Sequence, residues 1–349
     1  MSDSMIHELT IQNFKSIKAL KLKPKRVNLF VGKPNTGKSN ILEALSLFSD
    51  LSKSWLNDFV RLEKLRHLFY DSDIRQKVSV ELNVQSGVCY TATLSAAGDN
   101  SLEYHLTFDL ETPPTADFRP FEPIQNDLRD DRGLILVSQD LPSKTGFGCK
   151  KYAFRKFDPS RSDKSSKSLQ VPFGQNLFNV LETNPTLFEK VAEIFSQYGL
   201  SLVLNQENDT ILTQKKVGHR VFQLPYSLVA DTLQRMVFYL AAINSNSERI
   251  LIFEEPETHS FPPYITELAK TIAEAKSNQF FIATHSPYLF NTIIEETPKE
   301  EVAVFIADYE QYQTVVHQFP EEDYGEIADY GIDIFFNLRR AMKKDVEAT

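Results

Sequence analysis

The sequence predicts an α/β protein with a mixed central sheet. Short apolar runs at Val27–Val31, Arg249–Phe253 and Gln279–Ala283 have the length and composition of buried strands. Helical patterns follow the first two of these runs, at Ile41–Phe48 and Pro262–Ala275. Strand and helix therefore alternate at both ends of the chain, as is typical of an α/β sheet, and the middle of the chain is inserted into that sheet.

The first strand is preceded by the stretch Ile6–Leu22, in which polar and apolar residues alternate in two segments. This pattern predicts paired antiparallel strands, and the alternating lysines Lys21, Lys23 and Lys25 are most simply a solvated strand face. The stretch Lys77–Phe108 alternates in three segments separated by turn residues. It predicts an antiparallel meander.

The rest of the chain adds helices and strands. Three stretches have helical patterns: Leu51–Phe69, Asn176–Tyr198 and Tyr226–Ile243. A short hairpin is predicted from Leu200–Leu204 and Thr210–Gln214. The sheet is expected to be completed by strands at Val302–Ala307 and Thr314–Phe319 and by a final helix at Ile334–Lys343.

A glycine-rich loop lies between the first apolar strand and its helix. Residues 32–39 read Gly-x-x-x-x-Gly-Lys-Ser, the pattern of a phosphate-binding loop. Gly32 and Gly37 let successive N–H groups point at phosphate oxygens, and the helix N-terminus adds its positive dipole. Lys38 would reach the β- and γ-phosphates, and the Ser39 hydroxyl would bind Mg²⁺. We therefore expect ATP and Mg²⁺ as ligands of Gly32, Lys33, Pro34, Asn35, Thr36, Gly37, Lys38, Ser39 and Asn40.

Two other strands end in residues that suit the same chemistry. Glu254 and Glu255 follow four apolar residues, at the end of a strand where α/β sheets bind ligands. Glu254 would hold Mg²⁺ through water, and Glu255 would act as general base on the attacking water. His285 follows the third apolar strand and could donate to the γ-phosphate. The alternative interpretations are that Glu254 and Glu255 are two solvated acids at a strand end and that His285 has a structural role.

The segment Lys144–Lys167 is basic and contains aromatic residues. Eight basic residues are opposed there by only Asp158 and Asp163, and Tyr152, Phe154 and Phe157 lie among them. Such a segment can grip a phosphate backbone and stack on bases, which would make nucleic acid a ligand. The serine-rich end of the segment favours a simple mobile loop instead.

Composition limits the class of protein. The chain has 349 residues and a net charge of −9, and this acidic balance argues against general coating of nucleic acid. Cys89 and Cys149, the two cysteines, have no metal-ligand spacing. The N-terminus lacks the pattern of a signal peptide, and no apolar run reaches the ~18 residues that a membrane span needs. We expect a cytoplasmic protein without membrane contact.

The motifs together resemble the ATPase heads of the SMC/RecF/OLD group of ABC-type ATPases. The resemblance rests on Ile11–Pro24, Asn28–Leu45, Ile250–Pro263 and Phe280–Phe290. It implies an ABC-type P-loop NTPase head with a mixed central sheet, an N-terminal antiparallel β layer and an inserted helical and loop lobe. Residues 1–349 would form one head, with a core lobe at about 1–50 and 215–349 and the inserted lobe at about 51–214.

The same resemblance implies roles for individual residues. It puts Lys15 near the nucleotide phosphates, Glu254 and Glu255 at the acidic pair of the group, and His285 at its switch histidine. Two features depart from the group. Glu254 stands where an aspartate is usual, and Leu228–Asp231 stand where the group has Leu-Ser-x-Gly. An uncompensated carboxylate at Asp231 would repel ATP, so the usual ATP-sandwiched dimer does not follow from the sequence.

The resemblance implies an ATPase that works as a molecular switch. ATP binding and hydrolysis would control a separate effector protein, a nuclease or toxin, in a bacterial anti-phage or toxin-like system. We expect no Toprim-type nuclease domain, because the chain after His285 is needed to finish the sheet. A homodimer or higher homo-oligomer is expected. A RecF-like DNA-repair ATPase that uses Lys144–Lys167 and a nucleotide-binding scaffold with little turnover both stay open, and a transporter motor is least favoured.

Overall fold

The computed structural model describes residues 4–49, 56–98, 103–112, 124–131, 134–135, 148–156 and 166–324. Its centre is a six-stranded sheet. The strands of this sheet, in spatial order, are β16 (Gln313–Gln318), β15 (Val302–Glu310), β3 (Val27–Val31), β14 (Gln279–Ala283), β13 (Ile250–Glu254) and β9 (Cys149–Tyr152). All neighbours run parallel except β15 and β16, so the sheet is mixed, as predicted.

A second, antiparallel sheet packs beside the first. Its seven strands, in spatial order, are β2 (Ile17–Leu22), β1 (Ile6–Phe14), β4 (Val78–Val84), β5 (Cys89–Ala96), β6 (Glu103–Glu111), β7 (Ile124–Asp131) and β8 (Leu134–Ile135). The predicted N-terminal hairpin and the predicted meander are therefore one sheet, joined where β1 pairs with β4. A third sheet has three antiparallel strands: β10 (Ser201–Asn205), β11 (Thr210–Val217) and β12 (Arg220–Pro225).

Seven α-helices lie in the part of the chain that the structure describes. They are α1 (Lys38–Ser46), α2 (Leu56–Phe59), α3 (Leu177–Thr183), α4 (Pro185–Ser196), α5 (Asp231–Asn244), α6 (Pro262–Glu274) and α7 (Pro287–Glu296). No helix among the described residues is long and apolar enough to cross a membrane.

Two of the predicted helices differ from the structure. The prediction of one helix over Asn176–Tyr198 is wrong, because the chain breaks at Asn184 into α3 and α4. Pro185 disfavours helical backbone at the residue before it, and the Asn184 side chain caps α4 by accepting from Leu187 N at 3.1 Å. The predicted helical stretch Leu51–Phe69 is reduced to α2 and a short 3₁₀ turn at Leu65–Leu68, and its first residues lie outside the described ranges, as does the predicted final helix Ile334–Lys343.

The core sheet divides the hydrophobic interior into two clusters. On β3 the side chains of Val27, Leu29 and Val31 join the cluster that contains α5, α6 and α7, whereas Phe30 joins the cluster between the two large sheets. Phe30 packs there between Phe281 and Phe305, at ring-centroid distances of 6.3 Å and 5.1 Å. Because successive strand side chains face opposite sides, a run of apolar residues on β3 is what a strand buried on both faces requires.

The prediction of an inserted lobe over residues 51–214 needs one change. Within that stretch, β9 is a strand of the core sheet, since it pairs in parallel with β13 from Cys149 to Tyr152. The chain therefore returns to the core once before leaving it again. This return places β9 beside the strand that carries Glu254.

Candidate nucleotide site

The glycine loop connects β3 to α1 and has the backbone that phosphate binding requires. Gly32 and Gly37 have φ angles of +148° and +93°, which disfavour any residue with a Cβ. A Cβ on Gly32 would overlap the Ala307 carbonyl of β15, and one on Gly37 would overlap the Thr314 hydroxyl of β16. Both glycines are thus required by conformation and by the hairpin packed against the loop.

The ammonium of Lys38 lies inside the loop. Its Nζ donates to the carbonyls of Gly32 and Lys33, each at 2.8 Å, and the residue is only 6% exposed. Burial lowers the pKa of Lys38 to about 8, although Glu255 and Glu254 oppose that change. The lysine is therefore a cation at neutral pH, and its charge is only partly balanced by protein groups.

Ser16 and Thr314 support the loop from one side, and the sequence did not point to either of them. Their hydroxyls are 2.6 Å apart, Asn40 donates to Ser16 Oγ at 2.6 Å, and the Thr314 N–H donates to the Ser16 carbonyl at 2.8 Å. Each is a single hydroxyl in a turn or strand with no motif around it, so only their spatial arrangement identifies them.

Glu254 ends β13 and lies beside Ser39. Their side chains are hydrogen-bonded, and the Glu254 oxygens also face Arg61 Nη2 at 3.3 Å and Lys151 Nζ at 3.6 Å. Burial would raise the pKa of Glu254, but Lys151, Ser39 and Arg61 outweigh it and hold the pKa below its usual range. The carboxylate is therefore ionised at neutral pH.

These groups fit a magnesium ion that is bound mainly by its nucleotide. Mg²⁺ typically keeps several waters and takes one or two protein oxygens plus phosphate oxygens, and Ser39 and Glu254 can supply the protein oxygens. No cluster of three or more His, Cys, Asp or Glu side chains that could hold a metal by itself occurs among the described residues. The two cations beside Glu254 would share its carboxylate with the ion.

Glu255 and His285 lie next to each other at the ends of β13 and β14. His285 Nε2 is 3.5 Å from Glu255 Oε1, and both side chains are partly exposed. Glu255 has a φ of +45°, a left-handed conformation that is uncommon for a residue with a side chain and is often found at functional sites. Burial and the neighbouring Lys38 lower the pKa of His285, against the opposing effect of Glu255, so the imidazole is neutral at pH 7.

Glu257 fixes the loop that carries His285. Its Oε1 accepts from the Thr284 hydroxyl at 2.7 Å and from the His285 N–H at 2.8 Å, and the residue is 9% exposed. Burial raises the pKa of this carboxyl. The sequence signal that could have identified Glu257 is its position as the third acid of the Glu-Glu-Pro-Glu run.

A single cavity of about 1020 Å³ is lined by residues from all of these segments. The residues proposed from the sequence that line it are Pro34, Asn35, Thr36, Gly37, Lys38, Ser39, Asn40, Glu254, Glu255 and His285. Gly32 and Lys33 form the wall of the loop behind Lys38. The carboxyl ends of β3, β13 and β14 therefore open into one cavity, which is where parallel α/β sheets bind ligands.

Lys15 is not among the residues that line this cavity, and its place near the phosphates stays a prediction. Its ammonium binds the buried Glu43 carboxylate and donates to the Arg61 carbonyl at 2.5 Å. The same Glu43 holds Arg61 through a contact of 2.7 Å to Nε. Lys15 therefore anchors Arg61, and its charge also acts on Glu254 in the cavity.

In the described part of the basic segment Lys144–Lys167, Arg155, Lys156 and Lys167 are exposed whereas β9 is largely buried, and nucleic-acid binding by the segment stays a prediction. Lys151 and Tyr152 are buried in β9, and the Lys151 ammonium donates to the Phe59 carbonyl at 2.7 Å. Lys150 donates to Ser168 and Asn246, and Phe154 packs against Phe238. The other basic residues of the segment lie outside the described ranges, apart from Arg155, Lys156 and Lys167.

The region that departs from the family signature lies at the start of α5. Val229 is buried, and Asp231 begins the helix. Asp231 Oδ1 is 2.9 Å from Lys156 Nζ, so the carboxylate that would repel ATP has a cationic partner. Both side chains are more than half exposed, so this pair contributes little to stability, but it removes the local negative charge.

Comparison with known proteins agrees with this arrangement. Residues 5–85 match the family model described as "AAA ATPase domain", and residues 151–291 match "AAA domain, putative AbiEii toxin, Type IV TA system". An Smc head bound to the C-winged helix domain of ScpA is similar, with a TM-score of 0.56 and 14% identity, over 92% of this chain and 99% of that chain. The fold is that of an SMC-type ATPase head.

A second solved structure supports the same fold. The Smc head domain with an extended coiled coil, bound to the C-terminal domain of ScpA derived from Pyrococcus furiosus, has a TM-score of 0.55 and 11% identity, over 94% of this chain and 99% of that chain. A comparison with curated proteins gives no significant match. The predicted α/β class, with its mixed and antiparallel sheets, is thereby confirmed.

Proposed function

We propose that the chain binds ATP with Mg²⁺, hydrolyses it slowly, and uses the two states as a switch that controls a separate effector protein. One observation carries the proposal. Lys38, Glu255 and His285 come from three distant segments of the chain and line one cavity with the phosphate-binding loop. The matches to AAA ATPase domains support the same chemistry.

Each residue has a role in this proposal. The loop N–H groups and Lys38 bind the phosphates, and Ser39 and Glu254 hold the Mg²⁺ that offsets phosphate charge. Glu255 orients water for attack on the γ-phosphorus and accepts its proton, while the bond to the ADP oxygen breaks. The neutral His285 donates a hydrogen bond to the γ-phosphate. Glu257 keeps the His285 loop against the end of β13.

The test of this proposal is Glu255→Gln. We expect ATP hydrolysis to fall about 10²-fold or more, because general base catalysis typically contributes this much. ATP binding is expected to stay near wild type, since Gln keeps the size and hydrogen bonding of the side chain. Phosphate release and equilibrium binding of labelled ATP measure the two quantities. The matched control is Glu248→Gln, an exposed acid before β13. Wild-type turnover by Glu255→Gln would show that the base is another group.

The effector role rests on two lines of support. One family model that matches is described by a putative toxin of a toxin–antitoxin system, and the similar Smc heads are solved with bound ScpA domains. We infer an OLD-like head, which works in the cytoplasm as a homodimer and controls a nuclease or toxin in anti-phage defence. Measuring the activity of the neighbouring gene's product with and without this chain and ATP tests the inference.

A further inference from the structure

The hairpin of β11 and β12 extends beyond the core and carries an unusual strand edge. Its register pairs Val217 with Arg220, so Gly218 and His219 form a two-residue turn, and Gly218 has a φ of +59°. β12 pairs with β11 on one side, and no described strand pairs with it on the other. All six residues of β12 are exposed.

The register fixes which backbone groups of β12 are unpaired. In a hairpin with a two-residue turn, the residues that flank the turn exchange hydrogen bonds, and hydrogen-bonded pairs then alternate along the ladder. Arg220, Phe222 and Leu224 therefore bond to β11, and the N–H and C=O groups of Val221 and Gln223 point away from the sheet. Such an edge can accept another strand, and proteins usually protect it.

Apolar side chains remain exposed along this edge. Val221, Phe222 and Leu224 are 53%, 54% and 50% exposed, and they lead to Leu228 and Phe261, which are 68% and 58% exposed. A groove of about 440 Å³ lies at the end of the edge, lined among others by Leu224, Leu228 and Phe261. Contiguous exposure of this kind marks an interaction surface more often than an ordinary protein surface.

The hairpin is also basic in an acidic protein. Lys215, Lys216 and Arg220 are exposed, and the sequence from Thr210 to Ala230 contains no aspartate or glutamate. None of these three cations forms an ion pair with a described residue, although the whole chain has a net charge of −9. The local field therefore attracts an acidic ligand.

We propose that β12 is the docking edge for the effector, which adds an extended, acidic segment to the three-stranded sheet as its fourth strand. Main-chain hydrogen bonds to Val221 and Gln223 hold the segment. Its carboxylates face Lys215 and Arg220, on the face of the sheet that also carries Phe222 and Leu224, and the apolar residues that alternate with them pack on Val221 of the other face. A second copy of this chain fits less well, because it would bring a second basic hairpin, with no acidic residue from Thr210 to Ala230, against the first. Nucleic acid would leave the unpaired backbone groups unused.

The docking edge is connected to the nucleotide cavity through α5. Thr232 and Leu233 of α5 line the groove, and Arg235, one turn later, lines the nucleotide cavity. The Thr232 hydroxyl donates to the carbonyl of His259 at 2.9 Å. His259 lies four residues after Glu255 in the sequence. The identification of the added strand as a segment of the effector rests on the proposed function. Strand addition at β12 does not itself require ATP hydrolysis.

The experiment measures binding of three labelled probes to the full chain by fluorescence anisotropy. The probes are a peptide of about eight alternating glutamate and valine residues, the same peptide with lysine for glutamate, and a single-stranded DNA oligonucleotide of equal length. We expect the acidic peptide to bind at least tenfold more tightly than the other two. Raising the salt concentration should weaken its binding.

Two variants separate charge from backbone pairing. Lys215→Glu with Arg220→Glu should weaken binding of the acidic peptide about tenfold or more. The control is Lys18→Glu with Lys23→Glu, at two exposed lysines on β2 and directly after it, which should not weaken binding. Val221→Pro removes an outward N–H and leaves the bonds to β11 intact, so it should also weaken binding. Val221→Thr keeps that N–H and should bind as wild type.

Several outcomes would overturn the proposal. They are equal binding of the acidic and basic peptides, preferred binding of DNA, and unchanged peptide binding by Val221→Pro. Dissociation of a dimer by Phe222→Lys, observed by sedimentation, would show that a second copy occupies the edge. ATP hydrolysis is measured on the same preparations and should stay unchanged in the hairpin variants, so failure of peptide binding is distinguishable from failure of the ATPase proposal.

Discussion

Individual charged residues in the nucleotide cavity already have protein partners, and a ligand has to replace these contacts. Lys38 donates to two carbonyl oxygens of its own loop, and Glu254 is shared by Ser39, Arg61 and Lys151. A triphosphate that enters therefore exchanges existing contacts for new ones. Its affinity depends on the charge of the groups that it displaces.

The pH dependence of nucleotide binding follows from Lys38. Its pKa in the folded protein is about 8, below the value of 10.5 for a free lysine, because burial disfavours the charged form. The ammonium is thus present below pH 8 and is lost as the pH rises above it. Since phosphate binds the charged form, we expect ATP affinity to fall between pH 7 and pH 9, by up to about tenfold per pH unit above 8.

Calorimetry at pH 7, 8 and 9 measures this change. Proton uptake should accompany binding at the higher pH, and it appears as a dependence of the heat on the buffer. Lys38→Arg is the control, because a guanidinium stays charged over this range. Affinity of the wild type that is constant up to pH 9 would contradict the assignment of Lys38 to the phosphates.

At the scale of elements, β9 is the feature that the sequence described least well. The sequence predicts no strand within the basic segment Lys144–Lys167, which is interpreted as a candidate nucleic-acid site with a mobile, serine-rich end, but Cys149–Tyr152 form an edge strand of the core sheet. Lys151 is buried there because its ammonium reaches the Phe59 carbonyl and Glu254. Alternation alone cannot reveal a buried cation, since its partners lie far away in the sequence.

The strand β9 therefore supplies a fixed positive charge to the site. We expect Lys151→Met to weaken ATP binding in the presence of EDTA about tenfold, because a cation close to the phosphates is lost. Added Mg²⁺ should also raise the affinity of this variant for ATP more strongly than that of the wild type, because Lys151 no longer competes with the ion for the Glu254 carboxylate. The matched control is Lys150→Met, on the neighbouring residue, whose ammonium binds Ser168 and Asn246. Equal losses in the two variants would point to general destabilisation of β9.

Other elements could be predicted from the sequence for clear reasons. The strands β3, β13 and β14 are mainly apolar runs, and each one carries a motif at its end. The break between α3 and α4 was missed although Asn184 and Pro185 signal it. The ion pair of Lys15 with Glu43 could not be predicted, because Glu43 lies within α1, where nothing in the sequence distinguishes it from a surface acid.

At the scale of the whole molecule, the proposed switch requires association. The carboxylate of Asp231, which is expected from the sequence to repel a nucleotide of a facing subunit, is paired with the ammonium of Lys156. We expect Glu255→Gln with ATP and Mg²⁺ to form a dimer of about twice the monomer mass in sedimentation, because the slowed hydrolysis holds the ATP state. Lys38→Met, which lacks the phosphate ligand, should stay monomeric under the same conditions.

Charge reversal at Lys156, the partner of Asp231, distinguishes a dimer with the nucleotide at its interface from a dimer that forms through other surfaces. If the facing nucleotide contacts this region, Lys156→Glu should prevent the ATP-dependent dimer, since it restores an uncompensated acid beside Asp231. A dimer of unchanged affinity in the Glu255→Gln, Lys156→Glu double variant would mean that the subunits meet through other surfaces.

The position of β3 has a consequence for how the protein is made. Both neighbours of this strand, β14 and β15, are translated long after it, and the Asn28 side-chain amide donates to the carbonyl of Phe280, which lies 252 residues later. Until then its five buried side chains have no native cover. The nascent chain therefore carries this strand without its sheet neighbours until β14 has been synthesised, so assembly of the core sheet depends on contacts between distant parts of the sequence.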